Sequence, residues 1–176
     1  MAIIGWGKPR IFYKELGSKT AVWKEFDTPV EGSTSLATTK GDKTEAKVEG
    51  GANEAVKYAK NTYALTFNIR AAKDRQRPID DEDGVISTGY AIALQPEAAD
   101  APGFVMEAST ASVEDSFSTA DGGVWAYTFD ALVPEQSGFD KKKQVQWGVV
   151  ELTGEAGAYE VTLDKTTVAP NPSSES

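Results

Sequence analysis

The sequence predicts a mainly β protein: a β-sandwich or partly open barrel with at most one short helix and one long polar loop. Three observations carry this expectation. In Thr62 to Arg70, the residues Tyr63, Leu65, Phe67 and Ile69 are apolar while Thr66, Asn68 and Arg70 are polar, the period of two of a half-buried strand. The same alternation returns from Val124 to Leu132, where Trp125, Tyr127 and Phe129 share one face. Between such runs the chain is broken at short intervals by glycine, proline and aspartate, with almost no helical pattern, as in sandwiches and small barrels.

In chain order, Gly5-Trp6-Gly7 and Pro9 read as an irregular arm entering a strand at Arg10 to Lys14. Gly17-Ser18 turns the chain into Ala21 to Phe26 as its hairpin partner, and Thr28 to Ser33 ends that strand because Pro29 lacks a ladder donor. Leu36 to Tyr58 is a long polar excursion, partly extended and hinged at Gly41, Gly50 and Gly51, in which only Glu45 to Glu49 alternates. Excursions of this length inside compact domains serve a function or are disordered, and a plain surface loop is the competing reading. Ala71 to Gln76 has the composition of one helical turn, ending before Arg77-Pro78.

Asp80 to Gly84 is an acidic turn, and Gly89 to Gln95 is a strand stopped by Pro96. After a loop from Ala98 to Gly103, Phe104 to Met106 is extended. Ala111 to Phe117 is an edge strand whose charges discourage unwanted pairing. Asp121-Gly122-Gly123 turns into the second strong strand. Lys141-Lys142-Lys143 is a solvated basic turn, and Val145 to Leu152 with Tyr159 to Leu163 complete the sheet set. Residues 1–168 are expected to form one β-rich domain, with 169–176 as a disordered C-terminal tail. No internal repeat is visible.

The totals exclude several chemistries. With 40% hydrophobic and 26% charged residues the composition is globular. The net charge of -9 opposes binding to phosphate backbones and anionic lipid. No cysteine and no histidine are present, which removes disulfides, thiolate metal sites and the commonest general base. The N-terminal residues carry no basic segment followed by a long apolar run, so no export signal and no membrane span are expected.

The acidic run invites calcium, but placing Gly84 at the glycine of an EF-hand loop puts Ile79 at the first ligand position and Tyr90 at the last. A solvated turn is the reading that remains. No nucleophile elbow, Ser-x-x-Lys pair or phosphate-cradling glycine loop occurs, so no enzyme, no cofactor and no metal are expected. Trp6, Trp23, Trp125 and Trp147 would suit a carbohydrate-binding face, although aromatics at strand period more often build a core. Charge is unevenly spread. Residues 1–70 balance to +3, 71–130 to -9 and 131–176 to -3, a division suited to head-to-tail contact between copies, with a plain solvated surface as the competing reading.

Gly41 to Gly51, Tyr58 and the strand Tyr63 to Ile69, together with Ser112 to Phe117, Asp121-Gly122 and Trp125 to Leu132, resemble a major tail protein of long-tailed bacteriophages. The resemblance runs from about Ile11 to Leu152. It implies a small β-sandwich with a flanking helix and a structural role without an active site. Six subunits would join their sheets into a ring, and rings would stack into a tube within the virion, assembled in the host bacterial cytoplasm. Other tail proteins would be partners, and DNA would pass without specific binding. On this reading the assembly loop comprises Thr39, Lys40, Gly41, Asp42, Lys43, Glu45, Lys47, Glu49, Gly50, Gly51 and Glu54. The alternative is a monomeric surface adhesion or carbohydrate-binding β-sandwich module.

Overall fold

The computed structural model describes residues 2–134 and 143–164, so the first two residues of the expected turn Lys141-Lys142-Lys143 and the C-terminal tail lie outside the described residues. All regular structure among them is β. In chain order the strands are β1 (Arg10–Glu15), β2 (Lys24–Glu25), β3 (Ser35–Thr39), β4 (Lys43–Lys47), β5 (Asn53–Tyr58), β6 (Thr62–Arg70), β7 (Tyr90–Gln95), β8 (Gly103–Ser118), β9 (Gly122–Ala131), β10 (Gln146–Thr153) and β11 (Glu160–Asp164). One antiparallel sheet runs β2-β1-β7-β8-β9-β6-β3, with β10 joined to β8 and β11 to β10. β4 and β5 form a separate pair.

β8 is the strand at which this sheet divides. One of its edges takes β10 at Gly103 to Val105 and then β9 from Ser109 onward, while the other edge takes β7. At the junction the Ser109 hydroxyl donates to the Tyr90 carbonyl at 2.6 Å, beside a register shift between Tyr90 and Ile92. The two short segments expected at Phe104 to Met106 and Ala111 to Phe117 are therefore one strand of 16 residues. The polar run Glu107-Ala108-Ser109-Thr110 hides that continuity in the sequence, because Ser109 is buried for its hydrogen bond and not for its apolarity.

Two cores follow from the division. Leu65, Phe67 and Ile69 of β6 and Tyr127 and Phe129 of β9 meet Ile11, Ile92 and Met106 of the facing layer. Phe67 stacks on Phe129 at 5.8 Å and meets Phe26 edge-on at 5.0 Å. On the reverse side of β1 and β7, Phe12, Ala91, Ala93 and Val105 pack under Val150 and the partly buried Tyr159 and Val161 of the β10–β11 hairpin. β7 is thus covered on both faces, which explains its continuous apolar run. The sheet curls until the Tyr159 N–H reaches the Trp23 carbonyl at 3.3 Å, a single bridge that does not close it into a barrel.

Two expectations need correction. Only Lys24 and Glu25 of the stretch Ala21 to Phe26 form a strand against β1, because Trp23 fills the second core and Phe26 the first, and β7 is the main partner of β1. Ala71 to Gln76 is not helical. The Ala71 N–H donates to Gly123 and the Arg75 guanidinium takes the Arg70 carbonyl, leaving one turn bond from Arg75 to Ala72.

Tyr127 gives the first core a pH dependence. Its hydroxyl is buried without a full hydrogen bond, and burial, opposed by the nearby Arg77, pushes its pKa up to about 12. Because the folded value lies above the ordinary tyrosine value of about 10, this contribution to stability is complete below pH ~10 and is lost as the pH rises towards ~12. Thermal melts across that range should show a steeper alkaline decline for the native chain than for Tyr127→Phe. Equal declines would assign the alkaline loss to other groups, such as Tyr13 and Tyr90, whose burial also raises their pKa.

Candidate assembly surface

The polar excursion is an ordered arm. β3 pairs with β6 from Ser35 opposite Thr66 to Thr39 opposite Thr62, after which the chain leaves the sheet and returns as the hairpin β4–β5. The departure point is fixed by Gly41. A Cβ there would stand 2.0 Å from the Ala59 carbonyl oxygen, so only glycine lets the two strands cross this closely. The Gly41 N–H donates to Asn61 Oδ1 at 3.0 Å and the Ala59 N–H to Asp42 at 2.8 Å, tying the neck. At the tip, Gly50 and Gly51 both have positive φ, which side-chain-bearing residues rarely adopt.

The structure brings the residues expected of the assembly loop into this one arm. Thr39 ends β3, Lys40, Gly41 and Asp42 form the neck, Lys43, Glu45 and Lys47 belong to β4, Glu49, Gly50 and Gly51 make the tip, and Glu54 lies on β5. All are exposed except Gly41 and Glu45, which are half-buried. Glu45 pairs with Lys43 and lies 3.7 Å from Lys47, and Lys40 stands over the Tyr58 ring at 5.4 Å. Surface pairs of this kind add little stability. β5 is exposed along its whole length, Val56 and Tyr58 included. The arm therefore displays apolar and charged groups that its own subunit does not use.

β2 and β11 end two branches of the sheet beneath, and the four strands β8-β9-β6-β3 have two edges of their own without a strand partner among the described residues. One is the outer edge of β3, which ends the sheet opposite β2. The other is the far half of β8. Beyond its bridge from Ser112 to Val85 and the Val113 N–H donated to Gly84, the stretch from Glu114 to Ser118 pairs only with β9. Edge character was legible for this half of β8, whereas β3 was hidden in the polar excursion because only Leu36 of its five residues is half-buried.

The acidic turn acts as a clamp that decides where the β8 edge begins. Arg77 grips Asp115 through both terminal nitrogens, at 2.6 and 3.2 Å, and reaches Asp81 at 2.6 Å. It lies over the Trp125 ring at 5.5 Å, and the carboxylate of Asp115, then of Asp81, raises its pKa. The Asp81 carboxylate also accepts the Gly84 N–H at 2.7 Å. The acids are thus taken up by a guanidinium and a backbone amide. Among the described residues no three acidic side chains are placed to hold a metal ion.

Strands β8, β9, β6 and β3 present their second face outward. Register places Ser35, Ala37 and Thr39 beside Ala64 and Thr66, then Thr128 and Asp130, then Thr110, Ser112 and Glu114. This face is small, hydroxyl-rich and lightly charged. The four tryptophans do not gather on one platform. Trp23 fills the second core, Trp125 lies under Arg77, Trp147 packs on Phe104, and Trp6 stands on the N-terminal arm. No known protein family and no curated protein matches the chain.

Proposed function

We propose that the protein is a structural subunit of a tail-tube-like assembly, joining copies of itself head to tail into rings that stack as a conduit for DNA. The observation that carries this reading is the four-stranded unit β8-β9-β6-β3 with an unpaired edge on each side. Its neighbours are all antiparallel, so β3 and β8 run in opposite directions. The β3 edge of one copy therefore continues the ladder on the β8 edge of the next with the same antiparallel pattern. Joined in this way, both edges of the four-stranded unit are covered when the ring closes.

The clamp at Asp80 to Gly84 supports closure as well. Across one subunit Ala111 lies level with Leu36, through Phe129 and Leu65, yet only Glu114 onward is free to pair. Each joint must therefore be staggered by several residues. A stagger of about four to six residues for every four strands gives a strand tilt of roughly 35 to 45°, the range in which sheets close into barrels. A stagger of that size would suit a closed ring.

Charge agrees with this direction of joining. Lys40 follows the β3 edge, whereas Glu114 and Asp121 mark the β8 edge, Lys43 and Asp115 being paired within the subunit with Glu45 and Arg77, so unlike edges attract and like edges repel. The outward face of the unit would line the conduit. Its Ser, Thr and Ala side chains with Glu114 and Asp130 offer a polyanion few cationic contacts, Arg70 being the cation on that face. The arm from Lys40 to Tyr58 would reach an adjoining subunit or ring, and the resemblance to tail proteins implies six subunits in a ring.

Sedimentation and negative-stain imaging of concentrated protein test the reading. Rings or tubes whose amount changes with ionic strength are expected. A chain that sediments as a monomer and shows no ring or tube at every concentration and ionic strength overturns it.

A further inference from the structure

Beside the unpaired β3 edge lies a groove of about 680 Å³. Its lining is mainly apolar, with Leu36 and Leu65 from one layer, Leu94 and Phe104 from the other and Trp6 from the N-terminal arm, and it includes the charged Lys8 and Glu31. Leu65 and Phe104 are themselves buried, so the groove offers solvent the half-buried Leu36 and Leu94 and the 75% exposed Trp6. On the other unpaired edge stands a second unexplained apolar group. Phe117 is 78% exposed, and alternation along β8 places it on the same side as the buried Ala111 and Val113, opposite Gly123 of β9. A groove without an occupant and a largely exposed aromatic side chain thus lie on the two edges that the proposed ring joint brings together.

We infer that Phe117 of one copy seats in the Leu36–Phe104 groove of the next and sets the register of the joint. This rests on the edge-to-edge reading above and assigns it a residue pairing. The free stretch of β8 is Glu114 to Ser118, and the free strand β3 is Ser35 to Thr39. Laid antiparallel over their full common length, Ser118 meets Ser35, Phe117 meets Leu36, Ser116 meets Ala37, Asp115 meets Thr38 and Glu114 meets Thr39. In this register Phe117 and Leu36 fall on the same face, the groove side. Relative to Ala111, which is level with Leu36 within one subunit, the shift is about six residues, giving the upper end of the barrel tilt range. The second copy is favoured as occupant because its free β8 edge continues the β3 ladder bordering the groove in a fixed register, which an arbitrary apolar peptide would not do.

The chain has no cysteine, so engineered thiols report one contact without background. Ala37 and Ser116 are exposed, on the outward face of their strands, and directly opposed residues of an antiparallel pair lie within disulfide reach. Ala37→Cys and Ser116→Cys proteins, each prepared alone and then mixed at high concentration under mild oxidation, are expected to give a linked dimer far above either protein alone. Adding Phe117→Ala to the S116C protein should lower the linked fraction under subsaturating conditions by about tenfold or more, the scale of burying one phenylalanine side chain. Its melting temperature should not change, because the ring is exposed in the subunit. Linkage that forms equally well with Phe117→Ala overturns the anchor and leaves the edge joint standing. No linkage in the mixture with Phe117 intact overturns both the anchor and the edge joint. Linkage preferring Thr39→Cys over Ala37→Cys overturns the register.

Discussion

Replacing Lys43 to Tyr58 by Asn-Gly should leave a folded subunit of unchanged melting temperature that no longer assembles. The hairpin β4–β5 pairs with itself and not with the main sheet, and none of its residues belongs to either core. Its removal therefore exposes no core surface. Asp42 and Ala59 already face each other across the neck with a 2.8 Å hydrogen bond, the spacing that a two-residue turn closes, and Asn-Gly supplies the positive φ values such a turn needs. Loss of assembly would be near complete if the arm makes the contact between adjoining subunits or rings. The checks are a thermal melt for folding and negative-stain imaging for assembly. Normal tubes from the shortened chain would remove the arm from the joint, while a lowered melting temperature would show that the arm supports its own subunit.

Phe67→Ala should have the largest effect on the subunit itself, a loss of about 3–5 kcal/mol. Phe67 is fully buried at the centre of the first core, stacked between Tyr127 and Phe129 at 5.8 Å from each and touched edge-on by Phe26. Truncation leaves a cavity that three rings, two held on β9 and one in a loop, cannot close. Since domains are commonly stable by only about 5–15 kcal/mol, this substitution should remove a large share of the total. Chemical denaturation is the measurement. A change below about 1 kcal/mol would mean that the layers collapse onto the gap and that the core is less rigid than the ring stacking implies.

The strands that were legible in the sequence are those with one wet and one dry face. β6 and β9 show this most clearly: Leu65, Phe67, Tyr127 and Phe129 are buried, and the residues between them are half-exposed. β7 was legible as a strand but not as one covered on both sides, because Ala91 and Ala93 are small enough to read as filler while they pack beneath Val150. The arm was legible as a polar glycine-hinged excursion but not as a hairpin. Its strands bury nothing, so no alternation of hydrophobicity records their pairing. The Ala71 to Gln76 segment misled for a related reason: helix-compatible residues there are held by a hydrogen bond to Gly123, distant in the chain, and by the Arg75 side chain on the Arg70 carbonyl.

The sequence by itself determined that the chain is β-rich, that it carries no thiol or imidazole, that its charge is divided, and that a polar arm interrupts its strands. Only the tertiary structure decided which edges are free, which face of β8-β9-β6-β3 turns outward, and where the apolar groove lies relative to Phe117. The physical reason is range. Alternation and turn chemistry act between residues a few positions apart. An unpaired edge or an open groove is defined by which distant segments do not come to cover it.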